Sequence, residues 1–171
     1  MRRVAIIGSG GTGKSTLATL VSQRTGLPVV HLDPLFWRRE WTQAPRDESL
    51  RDFDAVIARD RWILDGNFLV GQSGKEDARF GRTDTVIFVD PPRTTCLWRV
   101  LRRLVRDRNA LRPDLPEGCT ERLDFSFLRW VWSYPQTTRP RVLELLERIH
   151  QRVDTYRLFS RADVKRFLDS L

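Results

Sequence analysis

Near the start of the chain, Gly8-Ser9-Gly10-Gly11-Thr12-Gly13-Lys14-Ser15 combines glycine-rich backbone, an amine and a hydroxyl in the spacing G-x-x-x-x-G-K-[ST]. Glycines allow a loop to wrap until successive backbone N–H groups converge on one anion. A helix opening near Lys14 would add the positive end of its dipole. Lys14 would then reach the outer phosphates of a nucleoside triphosphate, and the Ser15 hydroxyl would face Mg2+. The competing reading is a chance glycine turn. Against it, the loop follows the apolar run Val4-Ala5-Ile6-Ile7 and precedes a helical pattern. Gly8, Ser9, Gly10, Gly11, Thr12, Gly13, Lys14, Ser15 and Thr16 are therefore the expected nucleotide-binding residues.

A Mg2+ site beside such a loop usually takes a carboxylate from a neighbouring strand. Asp65, after Trp62-Ile63-Leu64, and Asp90, after Val86-Ile87-Phe88-Val89, both qualify, and either could equally be a turn or capping residue. Asp65 is the preferred ligand with Ser15, because Gly66-Asn67 behind it would leave open backbone for a ligand. Asp33 ends another apolar run and could take the proton of an acceptor hydroxyl during in-line attack; its plainer role is an Asp-Pro turn. Trp37 and Trp41, with Phe36 and Arg38-Arg39, could wall a planar substrate or simply cover the hydrophobic interior. His31 and His150 read as structural.

The elements that must position these groups alternate. Strands are expected at residues 4–7, 29–32, 62–64, 85–89 and 155–158. Helices are expected at 16–24, 47–59, 93–106, 125–132, 141–152 and 161–171. Alternation of this kind implies right-handed βαβ crossovers and a parallel sheet covered on both faces. Ligands of such sheets bind beyond the carboxyl ends of the strands, where Asp33, Asp65 and Asp90 all fall. Arg99, Arg102, Arg103, Arg106, Arg108 and Arg112 lead into a stretch rich in breakers, residues 109–118. They read as a lid over residues 106–122 closing guanidinium groups on a transferring phosphoryl group, or else as a solvated helix face. Arg103 is the lid arginine assigned to catalysis, with Lys14 and Asp33. Arg139 and Arg141, flanking Pro140, are weaker candidates.

With 171 residues, 40% of them hydrophobic and 30% charged, the chain suits one globular domain, residues 1–171, with an acceptor side near residues 33–60. No apolar run approaches the ~20 residues of a membrane helix. The N-terminal apolar stretch is too short for a secretion signal, so a cytoplasmic location is expected. Cys96 and Cys119 lack metal-binding spacing and read as reduced thiols. The net charge is +8, and of 30 basic residues all but Lys14, Lys75 and Lys165 are arginine. Guanidinium forks grip phosphate in a bidentate way, so the excess fits either phosphate-bearing small substrates or nucleic acid. A genome rich in G and C would give the same bias without any function. The guanine-specifying N-K-x-D pattern is absent, which favours ATP over GTP.

Several longer stretches occur in a familiar order. They are Gly8 to Thr16, His31-Leu32-Asp33-Pro34-Leu35-Phe36-Trp37, Asp65-Gly66-Asn67-Phe68 and Cys96-Leu97-Trp98-Arg99-Val100-Leu101-Arg102-Arg103, followed by Arg112-Pro113-Asp114, Glu117-Gly118-Cys119 and Arg139-Pro140. Together they resemble the adenylate-kinase-related bacterial P-loop proteins labelled DNA topology modulation proteins (FlaR-like), over nearly the whole chain. The resemblance implies an α/β nucleotide-kinase-like P-loop NTPase fold, with five parallel strands in the order 2-3-1-4-5, helices on both faces and a small lid. Leu64-Asp65-Gly66-Asn67-Phe68 looks like the L-D-G-F-P-R segment of adenylate kinases without its proline and arginine, which argues against a nucleoside monophosphate acceptor. Asp33 resembles the substrate-facing aspartate of shikimate- and gluconate-kinase-like enzymes.

Three functions remain on these grounds. The leading one is an ATP- and Mg2+-dependent phosphotransferase acting on a small molecule or nucleotide. The second is a nucleic-acid-associated ATPase or DNA topology regulator. The third is a slow ATPase serving as an interaction module. They differ in where the arginines point, into the cleft or along a convex face.

Overall fold

A computed structural model describes residues 1–67, 78–106, 119 and 123–171. Its centre is β1 (Arg3–Ile7), whose Val4, Ala5, Ile6 and Ile7 are wholly buried. A strand flanked on both sides and covered on both faces has no polar side to present, which is why this run is apolar without alternation. The valine and isoleucine side chains each contribute roughly 1.5–3 kcal/mol relative to exposure. β1 pairs in parallel with β3 (Trp62–Asp65) on one side and with β4 (Thr85–Val89) on the other. β2 (Val29–His31) lies outside β3, and β5 (Asp154–Leu158) outside β4. The order β2-β3-β1-β4-β5 is the expected one.

Side chains alternate between the two faces. On one face Val4, Ile6, Ile63 and Ile87 pack with Leu17, Ala18 and Val21 of α1 (Lys14–Thr25). Phe167 and Leu168 of the last helix, Arg161–Asp169, join them, and a reciprocal capping box between Ser160 and Asp163 starts that helix. On the opposite face Ala5, Ile7, Val86 and Phe88 pack with Tyr134, Val142, Leu145 and Ile149. These come from two consecutive helices, Phe125–Thr137 and Arg139–Ile149. The first is capped by Asp124, whose carboxylate accepts from the backbone N–H groups of Ser126 and Phe127. A third cluster lies on the acceptor side, where Phe53, Val56 and Ile57 of α2 (Arg46–Ile57) meet Leu32, Phe36, Trp62 and Leu64. α3 (Arg93–Arg106) follows β4 and runs past the glycine loop.

Some local expectations shift. Asp33-Pro34 is not a simple turn but the start of one helical turn, Asp33–Phe36. Proline at its second position needs no N–H partner there, and its fixed φ suits a helix start. An unforeseen two-stranded antiparallel ribbon follows, pairing Trp37–Arg38 with Thr42–Gln43. At its bend Glu40 and Trp41 adopt φ of 57° and 58°. The helix expected at 125–132 runs on to Thr137 with Pro135 inside it, where the missing N–H forgoes the bond to the Val131 carbonyl. The helix expected at 141–152 begins at Arg139, with Pro140 again in the first turn. Among the described residues no helix is long and apolar enough to cross a membrane.

Candidate phosphate-binding site

The glycine loop connects β1 to α1 at the carboxyl end of the sheet. Two helices press it into shape. The Cys96 carbonyl of α3 lies where a side chain on Gly11 would have to sit, 2.4 Å from a Cβ built there, and Gly11 has φ +75°. From the other side Phe127 packs its ring over Gly10. The loop also closes on itself. Thr12 Oγ1 donates to the Ser9 carbonyl at 2.9 Å, and Lys14 Nζ donates to the same oxygen at 2.8 Å. The backbone N–H of Gly8 is held by Asn67 Oδ1 at 2.8 Å. Ser15 is half-buried and Thr16 exposed on the first turn of α1.

Lys14 is the electrostatic centre of the site. Burial lowers its pKa from the ordinary lysine value, while the charge of Asp65 and then that of Asp33 pull it back up. Arg103, from the inward side of α3, adds a smaller push downward. Four residues from four separate segments therefore share one field. Asp33 stands exposed at the start of its helical turn, and Arg103 is half-buried. Cys96 lies against the loop, and burial pushes its thiol pKa up, with Arg99 and Lys14 opposing.

Of the two candidate metal-binding carboxylates, the structure separates one from the other by their partners. Asp90 is tied up. It accepts from Arg139 Nε at 2.9 Å and from Arg157 Nη2 at 2.6 Å, which locks the end of β4 to β5 and to the helix starting at Arg139. Among the described residues Asp65 is held through one oxygen alone. His31 Nδ1 lies 2.8 Å from Asp65 Oδ2, and Oδ1 is buried without a hydrogen-bond partner. A buried carboxylate oxygen without a partner calls for an explanation, and a water or ion at the site is one. A hard oxygen donor beside Lys14, with the Ser15 hydroxyl on the adjoining turn, suits Mg2+, which takes one or two protein oxygens and fills its remaining positions with water and phosphate. Among the described residues no group of three or more His, Cys, Asp or Glu side chains forms a self-sufficient metal cage.

No protein-family profile matches the chain, and no curated protein is similar to it in sequence. Solved structures are similar in three dimensions. A shikimate kinase from Acinetobacter baumannii, in complex with shikimate, aligns with a TM-score of 0.59 at 12% identity, covering 99% of this chain and 90% of that one. A deoxyadenosine kinase from M. mycoides, with the products dCMP and a flexible dCDP bound, aligns at 0.54 and 13% identity, covering 98% and 95%. The chain has the P-loop kinase fold.

Within that kinase fold the sequence-based assignments divide clearly. The charges of Asp65, Asp33 and Arg103 all act on Lys14. Arg99 does not belong with the lid arginines: it donates to the loop carbonyls of Thr12 and Gly11 at 2.8 and 3.5 Å. Its place on the inner side of α3 turns it towards the loop. Arg102, one position from Arg103, stacks over Trp98 on the exposed side. The expected lid, residues 106–122, falls outside the described residues except for Arg106 and Cys119; Arg108 and Arg112 are among those not described. Cys119 is buried and its Sγ lies 3.2 Å from the Arg38 carbonyl, against the acceptor-side ribbon. The backbone behind Asp65 is not open as expected. A Cβ on Gly66 would sit 2.9 Å from that of Leu32, and the Gly66 carbonyl accepts from the fully buried Arg79 at 2.8 Å.

Trp37 and Trp41 meet edge to face at 6.2 Å, both half-buried, while Phe36 goes inside against Phe53. The residue that sequence reasoning undervalued is His31. It looked structural because a lone histidine on a strand usually is. The only available signal was its register with Asp65, which requires knowing that β2 pairs with β3.

Proposed function

We propose that the protein is an ATP-dependent phosphotransferase acting on a small acceptor. The observation that carries this reading is the glycine loop closed on Ser9 by Thr12 and Lys14, with the charges of Asp65, Asp33 and Arg103 acting on that lysine. Each group has a distinct task. Backbone N–H groups of residues 9–16 hold the β- and γ-phosphates of ATP, and Lys14 leaves the Ser9 carbonyl to pair with them. Ser15 and Asp65 would hold Mg2+, which when bound would supply positive charge to the phosphate oxygens. Asp33, exposed on the acceptor side, accepts the proton of the acceptor hydroxyl as that oxygen attacks in line. Arg103 steadies the charge spreading over the transferring group. Trp37 and Trp41 border the same side and offer a planar surface to the acceptor.

The arginine excess is consistent with this use. Arg79, Arg99, Arg139 and Arg157 are each engaged with groups inside the fold, which leaves fewer of them for a nucleic-acid face. The decisive measurement screens nucleosides, sugars and other hydroxylated metabolites for melting shifts of the ATP–Mg2+ complex, then follows ADP release with each hit. Stabilisation by ATP and acceptor-dependent ADP release are expected. Failure to bind ATP, with salt-sensitive binding of duplex DNA instead, would reject the reading in favour of a nucleic-acid role.

A further inference from the structure

We propose that His31 is a positioning residue for Asp65: it anchors one carboxylate oxygen so that the other is presented to a divalent cation beside Lys14. The proposal rests on the phosphotransferase reading above. It starts from strand geometry. β2 and β3 run parallel with His31 opposite Asp65, and the ladder continues one step further, where the Leu32 N–H donates to the Asp65 carbonyl at 2.9 Å. Opposite residues in a parallel pair send their side chains to the same face, so this register brings imidazole and carboxylate together. The Nδ1–Oδ2 distance is 2.8 Å. An ionised carboxylate only accepts, so the proton of this bond sits on Nδ1.

The terminal torsion of an aspartate is soft, and a carboxylate held by nothing would swing. Holding Oδ2 fixes the carboxylate plane and with it the direction of Oδ1. That oxygen is buried without a hydrogen-bond partner among the described residues, on a residue only 5% exposed. Lys14 does not supply the missing bond, because its ammonium is turned to the Ser9 carbonyl. Were Asp65 only a strut between strands, both oxygens would be expected to find partners, as those of Asp90 do. One oxygen anchored and one left open is the arrangement of a metal ligand with its orienting neighbour. Removing such a neighbour typically weakens metal affinity by about 10–100-fold.

The test uses the full chain and a non-hydrolysable imidotriphosphate analogue of ATP. Analogue affinity is measured by calorimetry in EDTA and then across a Mg2+ titration, for wild type, His31→Ala, His31→Phe and His31→Asn. Circular dichroism checks each fold. His31→Ala and His31→Phe should raise the half-saturating Mg2+ concentration about tenfold while leaving affinity in EDTA within about twofold of wild type. His31→Asn, whose amide can donate from a similar place, should recover most of the loss. Phenylalanine keeps bulk without a donor, so a normal titration for His31→Phe would overturn the proposal, as would equal losses with and without Mg2+. Unfolding of all three variants would assign His31 to the core and overturn it too. If wild type binds the analogue without any Mg2+ effect, the metal role of Asp65 and this proposal fall together while the phosphate loop stands. If wild type binds no analogue at all, the phosphotransferase reading itself is lost.

Discussion

The guanidinium of Arg99 donates to the Thr12 carbonyl at 2.8 Å and reaches that of Gly11 at 3.5 Å, gripping the phosphate loop from behind. In a planar trans peptide the C=O of one residue and the N–H of the next point opposite ways. Fixing the carbonyls of Gly11 and Thr12 outward therefore fixes the N–H groups of Thr12 and Gly13 towards the phosphate side. Helix α3 thus carries one arginine that grips the loop and, one turn later, Arg103, whose charge acts on Lys14.

Arg99→Met keeps the aliphatic stem and deletes the donors. Nucleotide affinity should fall about tenfold, the size of one lost charge-assisted hydrogen bond, with a melting temperature only slightly lower. Calorimetric titration with ATP decides it. Wild-type affinity in the variant would mean that the loop holds its shape unaided.

Lys14→Ala should lower turnover by at least roughly 100-fold, on the scale of removing one preorganised group that stabilises transition-state charge, and leave the protein folded. The lysine is half-buried at the start of α1 and belongs to none of the three apolar clusters, so its removal opens no core cavity. Turnover close to that of wild type would remove the basis of the proposed chemistry.

The depressed pKa of Lys14 gives binding a proton signature. Burial lowers it in the empty site, and an arriving polyphosphate favours the ammonium and raises it again. Between those two values ATP binding takes up a proton, and affinity falls as pH rises. For folding the sign follows from the same shift. The unfolded chain binds more protons than the folded one above the lowered value, so this group's contribution to stability rises with pH up to about 10.5. Titrations at alkaline pH in buffers of different ionisation heat should show uptake in wild type and none in Lys14→Ala. Buffer-independent heats in both proteins would count against the mechanism.

Asp90→Ala removes the shared partner of Arg139 and Arg157 and should cost about 2–4 kcal/mol of stability. That is somewhat less than for a fully buried pair, because both arginines are about one third exposed while Asp90 is 8% exposed. Urea unfolding should show a lower midpoint at unchanged slope. A loss below about 0.5 kcal/mol, ordinary for a surface substitution, would make Asp90 a surface residue in energetic terms.

Gly11→Ala should destabilise the chain by at least about 2 kcal/mol, since it adds a left-handed alanine to a clash that α3 cannot easily yield to. The new Cβ would lie 2.4 Å from the Cys96 carbonyl and 2.9 Å from Val100 Cγ2. Thermal unfolding measures it, and an unchanged melting temperature would show that loop and helix can separate freely.

Much of this protein is determined by the sequence alone, because some physical constraints are local. The cradle from Gly8 to Ser15 is legible since glycine spacing and the following helix start act within one turn of chain. The strand order could be anticipated from alternating elements and resemblance, because a parallel sheet needs buried apolar runs and crossovers of fixed hand. Asp33, Asp65 and Arg103 could be singled out as residue types in suitable places. That their charges act on Lys14 was decided only by the tertiary structure, as was the difference in partners between Asp65 and Asp90. That difference depends on Arg139 and Arg157, which lie 49 and 67 residues from Asp90. His31 finds Asp65 34 residues away through strand pairing, and Arg99 finds Thr12 across 87 residues through helix packing. A side chain's type is written in the sequence, but whether its hydrogen bonds go to a ligand or to a distant part of the chain is settled only when packing brings the partners within 3 Å.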